Sequence, residues 1–90
     1  MNQDDAILKV IKKLSDLGSY ILTNHATDQR IVRGMSIQDV EDVLCNPTKI
    51  IRTDVINSIS TYKIEGGFKK QRLAVEISGQ NVVIVITAMD

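Results

Sequence analysis

Ninety residues with eleven basic and eleven acidic side chains make one small domain without the basic excess that general binding to duplex phosphates calls for. Apolar residues are 43% of the chain but aromatics only 3%, so the core must be aliphatic, and a stacking platform for single-stranded bases has little to work with. A single cysteine excludes an internal disulfide, no Cys/His cluster has zinc spacing, and no apolar run approaches the ~20 residues of a membrane span.

The N-terminal stretch lacks a basic region followed by a long apolar run, so no signal peptide is expected and the location expected is cytoplasmic. No metal or cofactor is expected either. Residues 3–17 predict a first helix, with Ile7, Val10, Ile11, Leu14 and Leu17 on one arc and Lys9, Lys12 and Lys13 opposite. Asp4 and Asp5 complement the helix dipole in the first turn, and Gly18 is the stop. Residues 20–23 read as a short extended piece.

Asn24 is the expected N-cap of a second helix over residues 25–33. Ile31 and Val32 form its narrow apolar side, and His25, Gln29 and Arg33 a polar stripe at i, i+4 and i+8. Gly34 ends it. Ser36, with Asp39 three residues on, is a capping box for a third helix. Its buried face is expected to be Ile37, Val40, Val43 and Leu44, and its wet face Asp39, Glu41 and Asp42. Pro47 closes this helix, and Cys45, beside Leu44, reads as a small buried hydrophobe.

From Thr48 onward the period becomes extended. Strands are expected over residues 49–53, 58–64, 69–78 and 82–89, joined by connections short enough for hairpins and therefore forming an antiparallel meander. Leu73, Val75 and Ile77 alternate with Arg72, Ala74 and Glu76, one dry face against one wet. The last strand is apolar on both sides, which places it inside the sheet or under cover. The expected architecture is α+β, with N-terminal helices packed on one face of a four-stranded antiparallel sheet.

The pairs His25–Ala26 and Arg33–Gly34, then Ser36, Asp39–Val40, Asn46–Pro47 and a closing strand with Thr87, resemble domain-of-unknown-function family 4258. That family is similar to the RelE-like toxin superfamily, whose relatives include metal-independent ribonucleases. The resemblance covers residues 20–89 and leaves residues 1–18 as an added helix on a single domain. It implies RNA as substrate and a cognate antitoxin as partner. This chain departs from the family pattern at Gln29, where an arginine is usual; Arg30 is adjacent but about a quarter-turn away.

Cutting RNA without a metal requires a base for the 2′-hydroxyl proton, a cation for the phosphorus centre and an acid for the leaving 5′-oxygen. The catalytic candidates are His25, Arg33 and Thr87. Histidine is the side-chain type whose reference pKa lies near neutrality, and His25 lies in a first helical turn beside unbonded backbone N–H groups. Arg33 can grip a phosphate in a bidentate fork. Arg30, Lys63 and Arg72 are the substrate-binding candidates. Tyr62 is a further neighbour of the cleft, but it and Lys63 must point to opposite faces.

Each residue also has a purely structural reading. His25 can bond a backbone carbonyl, Arg33 can close the helix or pair with Asp39 or Glu41, and Lys63 and Arg72 suit an ordinary wet face. Thr87 suits a strand by propensity alone. Two functions follow: a toxin-type endoribonuclease, favoured by the His25–Ala26 and Arg33–Gly34 pairs, or a non-catalytic module of the same fold binding a protein or nucleic acid. Zero net charge, Gln29 and scarce aromatics favour the second. An exposed edge strand is the expected route to a homodimer.

Overall fold

The computed structural model describes residues 3–89. The elements in chain order are α1 (Gln3–Asp16), β1 (Tyr20–Leu22), α2 (Asn24–Val32), α3 (Ile37–Cys45), β2 (Pro47–Ile56), β3 (Ile59–Gly66), β4 (Gln71–Ile77) and β5 (Val83–Ala88).

Local chemistry sets the helix ends. At the end of α1 the Ser19 N–H bonds the Leu14 carbonyl at 2.8 Å and the Gly18 N–H bonds Ser15 at 2.9 Å. At the end of α2 the Met35 N–H bonds Arg30 at 2.7 Å and the Gly34 N–H bonds Ile31 at 3.1 Å. Both are Schellman closures, which require a left-handed residue; Gly18 (φ 77°) and Gly34 (φ 71°) supply it without a Cβ penalty. Helix α3 opens on the expected capping box, Asp39 N–H to Ser36 Oγ and Ser36 N–H to Asp39 Oδ2, each 3.0 Å.

Several helix expectations are corrected, and Ile37 of α3 and Val10 of α1, expected on buried faces, are exposed. The cap of α2 is Thr23, one residue before Asn24, because the backbone is still extended there (φ −68°, ψ 164°) and its hydroxyl accepts from the Ala26 N–H. The buried residue of α2 is Ala26, whereas Ile31 and Val32 are exposed. Five and six residues beyond Ala26, they lie about 140° and 240° around the wheel and must face away. In α1 the buried arc is centred on Ile11 and takes in Ile7, Leu8 and Leu14, while Leu17 lies past the last helical residue and is exposed.

The sheet has five strands, not four, in the order β1-β5-β4-β3-β2. Strands β2 to β5 form the expected antiparallel meander, and β1 adds a parallel edge beside β5, Tyr20 opposite Val83 and Leu22 opposite Val85. The sheet is therefore mixed. Strand β5 is internal, as its apolar run on both sides requires, and β1 is the partner that makes it so.

Two turns are also shifted from their expected places. Strand β2 runs on through Asp54 to Ile56, and the turn is Asn57–Ser58, both with positive φ (53° and 66°), the two-residue form that matches strand twist. Strand β3 continues into Gly66, where an added Cβ would lie 2.5 Å from the Asn46 carbonyl oxygen and 2.7 Å from the Pro47 Cα.

All three helices cover one face. Ile64, Leu73, Val75, Val83, Val85 and Ala88 from the sheet pack with Ile11, Ala26, Met35, Val40, Val43 and Leu44 in one aliphatic core. Ile11 is fully buried there, so the added N-terminal helix is part of the same core. Tyr20, half-buried, donates to the Glu41 carboxylate and ties β1 to α3. That bond, with burial second, pushes the phenol up to about 12.

Candidate functional site

Among the described residues the opposite face of the sheet carries no helix, and strand register decides what it displays. Ile64, Leu73 and Val75 point into the core, so their neighbours Lys63, Arg72, Ala74 and Glu76 point out. Lys63 lies opposite Ala74, and Ala74 opposite Thr87. Arg52 of β2 completes this row on the far side of Lys63. A second row brings Lys49, Glu65 and Arg72 together.

Thr87 reaches this face through a bulge. Val75 pairs with Val85 and Ala74 with Thr87, which leaves Ile86 as an extra residue in β5. Without it, strict alternation from Val85 would turn Thr87 into the core and Ala88 outward. With it, Ala88 is buried and Thr87 joins the open face. The Ile86 carbonyl accepts the Thr23 hydroxyl at 3.1 Å, so the cap of α2 also fastens the bulge.

Charge on the open face is unevenly compensated. Glu65 takes Arg72 Nε at 3.1 Å on one oxygen and Lys49 Nζ at 3.5 Å on the other. The Arg72 guanidinium, then Lys49, holds the Glu65 carboxyl below the usual range against the opposing effect of burial. Arg52 pairs with Asp54 at 3.0 Å. Lys63 has no ion-pair partner among the described residues. It and Thr87 flank Ala74, which is itself buried. At the ~4.8 Å strand spacing the two side chains stand roughly 10 Å apart across Ala74.

The helix candidates form a separate group. His25 is exposed in the first turn of α2, two residues after the Thr23 anchor. Arg33 is the exposed C-cap of the same helix, about 12 Å along its axis from His25 at 1.5 Å per residue. Arg30 is turned back, its Nη1 donating to the Met35 carbonyl at 3.2 Å, and its buried Nε has no acceptor among the described residues. The sheet thus brings Lys63, Arg72 and Thr87 together, while His25, Arg30 and Arg33 belong to α2. Tyr62 faces the helix side and lines a cavity of about 430 Å³ beyond the helices, with Ser60, Ile77 and Ser78.

Sequence reasoning placed a turn between β3 and β4 but gave it no role. Its Phe68 is 94% exposed. The turn is nevertheless fixed: the Phe68 N–H donates to Asp42 Oδ2 at 2.7 Å and the Gly67 N–H to the Asn46 carbonyl at 3.0 Å. Gly67 (φ 77°) passes so close to α3 that a Cβ would lie 2.8 Å from Asp42 Oδ2. Lys69 pairs with Asp39 at 3.0 Å, and the Ser36 N–H, then Lys69, holds the Asp39 carboxyl below its usual range. The face of α3 expected to be wet is therefore the anchor of this turn. Asp39 and Asp42 at i, i+3, followed by a Gly-Gly-Phe turn, were the available signal.

Cys45 is half-buried, and burial pushes its thiol up. Among the described residues no three His, Cys, Asp or Glu side chains converge as a metal site. Within the same residues no helix is long and apolar enough to cross a membrane. A family model described as "Domain of unknown function (DUF4258)" matches residues 22–90, from the last residue of β1 onward. No curated protein and no solved structure gives a significant match.

Proposed function

The chain belongs to the DUF4258 family, and we propose that it is a small RelE-like protein of the toxin type that cuts RNA without a metal. One observation carries this reading. The bulge at Ile86, bonded to the cap of the helix that bears His25, turns Thr87 onto the bare face beside Lys63. Bulges that re-aim a single side chain are characteristic of binding and catalytic edges.

In this reading Lys63, Arg72 and Thr87 bind the RNA backbone on the bare face, and the strand passes round the Thr23–Ile86 junction to His25 on α2, so the phosphate that reacts is not the one Thr87 contacts. His25 takes the 2′-hydroxyl proton. The 2′-oxygen then bonds phosphorus, the bond to the 5′-oxygen breaks, and the His25 imidazolium gives the proton it took to that oxygen, leaving a cyclic phosphate and a 5′-hydroxyl. Arg33, about 12 Å from His25, meets a neighbouring phosphate rather than the reacting one. Phe68, in the turn just before β4, offers an exposed ring on which a base can stack. A cognate antitoxin would act by covering this face.

The same Arg33–His25 separation favours a second reading, in which the face binds RNA or a partner without cleaving it. Purified wild type, His25→Ala and Lys63→Ala separate the two when incubated with labelled RNA and titrated by anisotropy at several salt concentrations. Cleavage by wild type, lost in His25→Ala with binding retained, supports the nuclease. Binding without cleavage, weakened in Lys63→Ala with a salt slope smaller by about one, supports the module. Wild type that neither binds nor cuts RNA sinks both.

A further inference from the structure

The two edges of the sheet are unequal. One is β1, three residues long and followed at once by α2. The other is β2, ten residues long, with Arg52, Thr53, Val55 and Ile56 all exposed. The two-residue turn closes on the Ile56–Ile59 pair, and alternation from that pair turns the backbone N–H and C=O groups of Val55 and Thr53 outward, toward no neighbouring strand. A long edge with unpaired backbone groups and exposed apolar side chains is a template for another strand.

The side chains say which strand fits. We infer that β2 pairs antiparallel with β2 of a second copy of this chain, about a two-fold axis at Thr53, so that Arg52 of each copy faces Asp54 of the other. A two-fold axis normal to the sheet requires a residue to face itself, because a strand shifted by one residue puts its side chains on the wrong face. Centring on Arg52 would set two guanidiniums against each other, and centring on Asp54 two carboxylates. Centring on Thr53 sets unlike charges opposite in both directions. It also makes Thr53 with its copy a pair exchanging two backbone hydrogen bonds, and sets Val55 against Ile51 of the second copy.

Both charged groups are available, with Arg52 69% and Asp54 45% exposed even in their mutual ion pair. The bulge at Ile51 limits the regular part of the ladder to the residues around Thr53. The surface is therefore small, and the association is expected to be reversible and concentration-dependent. The two-fold would join two sheets with both bare faces on the same side. This inference stands independently of the proposed function.

Sedimentation velocity of the full chain over a concentration series tests it. Wild type is expected to shift from monomer to dimer. Arg52→Asp and Asp54→Arg each set like charges opposite and are expected to stay monomeric, with unchanged far-UV circular dichroism. Mixed one to one, the two variants set unlike charges at all four positions and are expected to form a heterodimer that neither forms with itself. The doubly substituted chain, with both changes, is expected to dimerise like wild type. A wild type that is monomeric throughout would overturn the inference. So would single variants that associate as wild type does, or a mixture that shows no heterodimer.

Discussion

The two faces of this sheet are built on opposite principles from the same strands. Along β4, Leu73 and Val75 are fully buried under the helices, while Arg72 and Glu76, one residue away from each, stand on a face that no helix covers. The inner face gains its stability from aliphatic area removed from water. The outer face carries charges in fixed register on β2 to β4, with Thr61 and Thr87, beside the apolar Ile21 and Ile84 of β1 and β5, and its charges contribute little to stability. A side chain's role in this protein is therefore set by which way its strand parity points it.

The sharpest way to break that comparison is to truncate neighbours. Leu73→Ala is expected to cost about 2–5 kcal/mol, since the helices above can close only part of the cavity. Arg72→Ala removes a half-exposed pair with Glu65 and is expected to cost under about 1 kcal/mol. Urea denaturation of both variants measures the difference. Equal losses would mean that the outer face is structural and that its charges are not there for a ligand.

How much of this was readable beforehand depends on the range of the interactions. The ends of α1, α2 and α3 follow from Gly18, Gly34 and the Ser36–Asp39 box, because a helix end is decided within six residues. The interior place of β5 follows from its being apolar on both sides. The orientation of Thr87 was not readable. It depends on a bulge whose carbonyl is bonded by Thr23, sixty-three positions away in sequence. Strand β1 is too short for a period to show. The inward face of α2 rests on Ala26, whose methyl gives little hydrophobic signal against Ile31 and Val32, so the larger residues misdirected the reading.

A second test addresses the border between the two faces, where the turn after β3 is fastened to α3. Asp42→Ala removes the acceptor of the Phe68 N–H and of the Asn46 side chain and is expected to cost about 2 kcal/mol. If the turn holds Phe68 for a ligand, the same variant is also expected to lose RNA affinity to the extent that Phe68→Ala does, whereas Phe68→Ala itself leaves stability unchanged. Loss of stability without loss of affinity would confine the turn to a structural role. Calorimetry and anisotropy on the two variants distinguish these outcomes.

The smallest expected effect concerns the covered face, where Tyr20 meets Glu41. Tyr20→Phe keeps the ring's packing and removes one hydrogen bond to a carboxylate, at a cost of about 1.5 kcal/mol near neutrality. Its pH dependence is more telling than its size. The folded-state phenol titrates at about 12 against 10.0 when unperturbed, so the folded state holds this proton more tightly than the unfolded one. By linkage, the contribution is present in full below pH 10 and is lost as pH rises through 12. Wild type is therefore expected to lose its advantage over Tyr20→Phe across that window, with the two denaturation midpoints converging in alkali. Midpoints that stay parallel to the upper end of the window would mean that the phenol is not bonded to Glu41. The tie from the edge strand to α3 would then rest on packing alone.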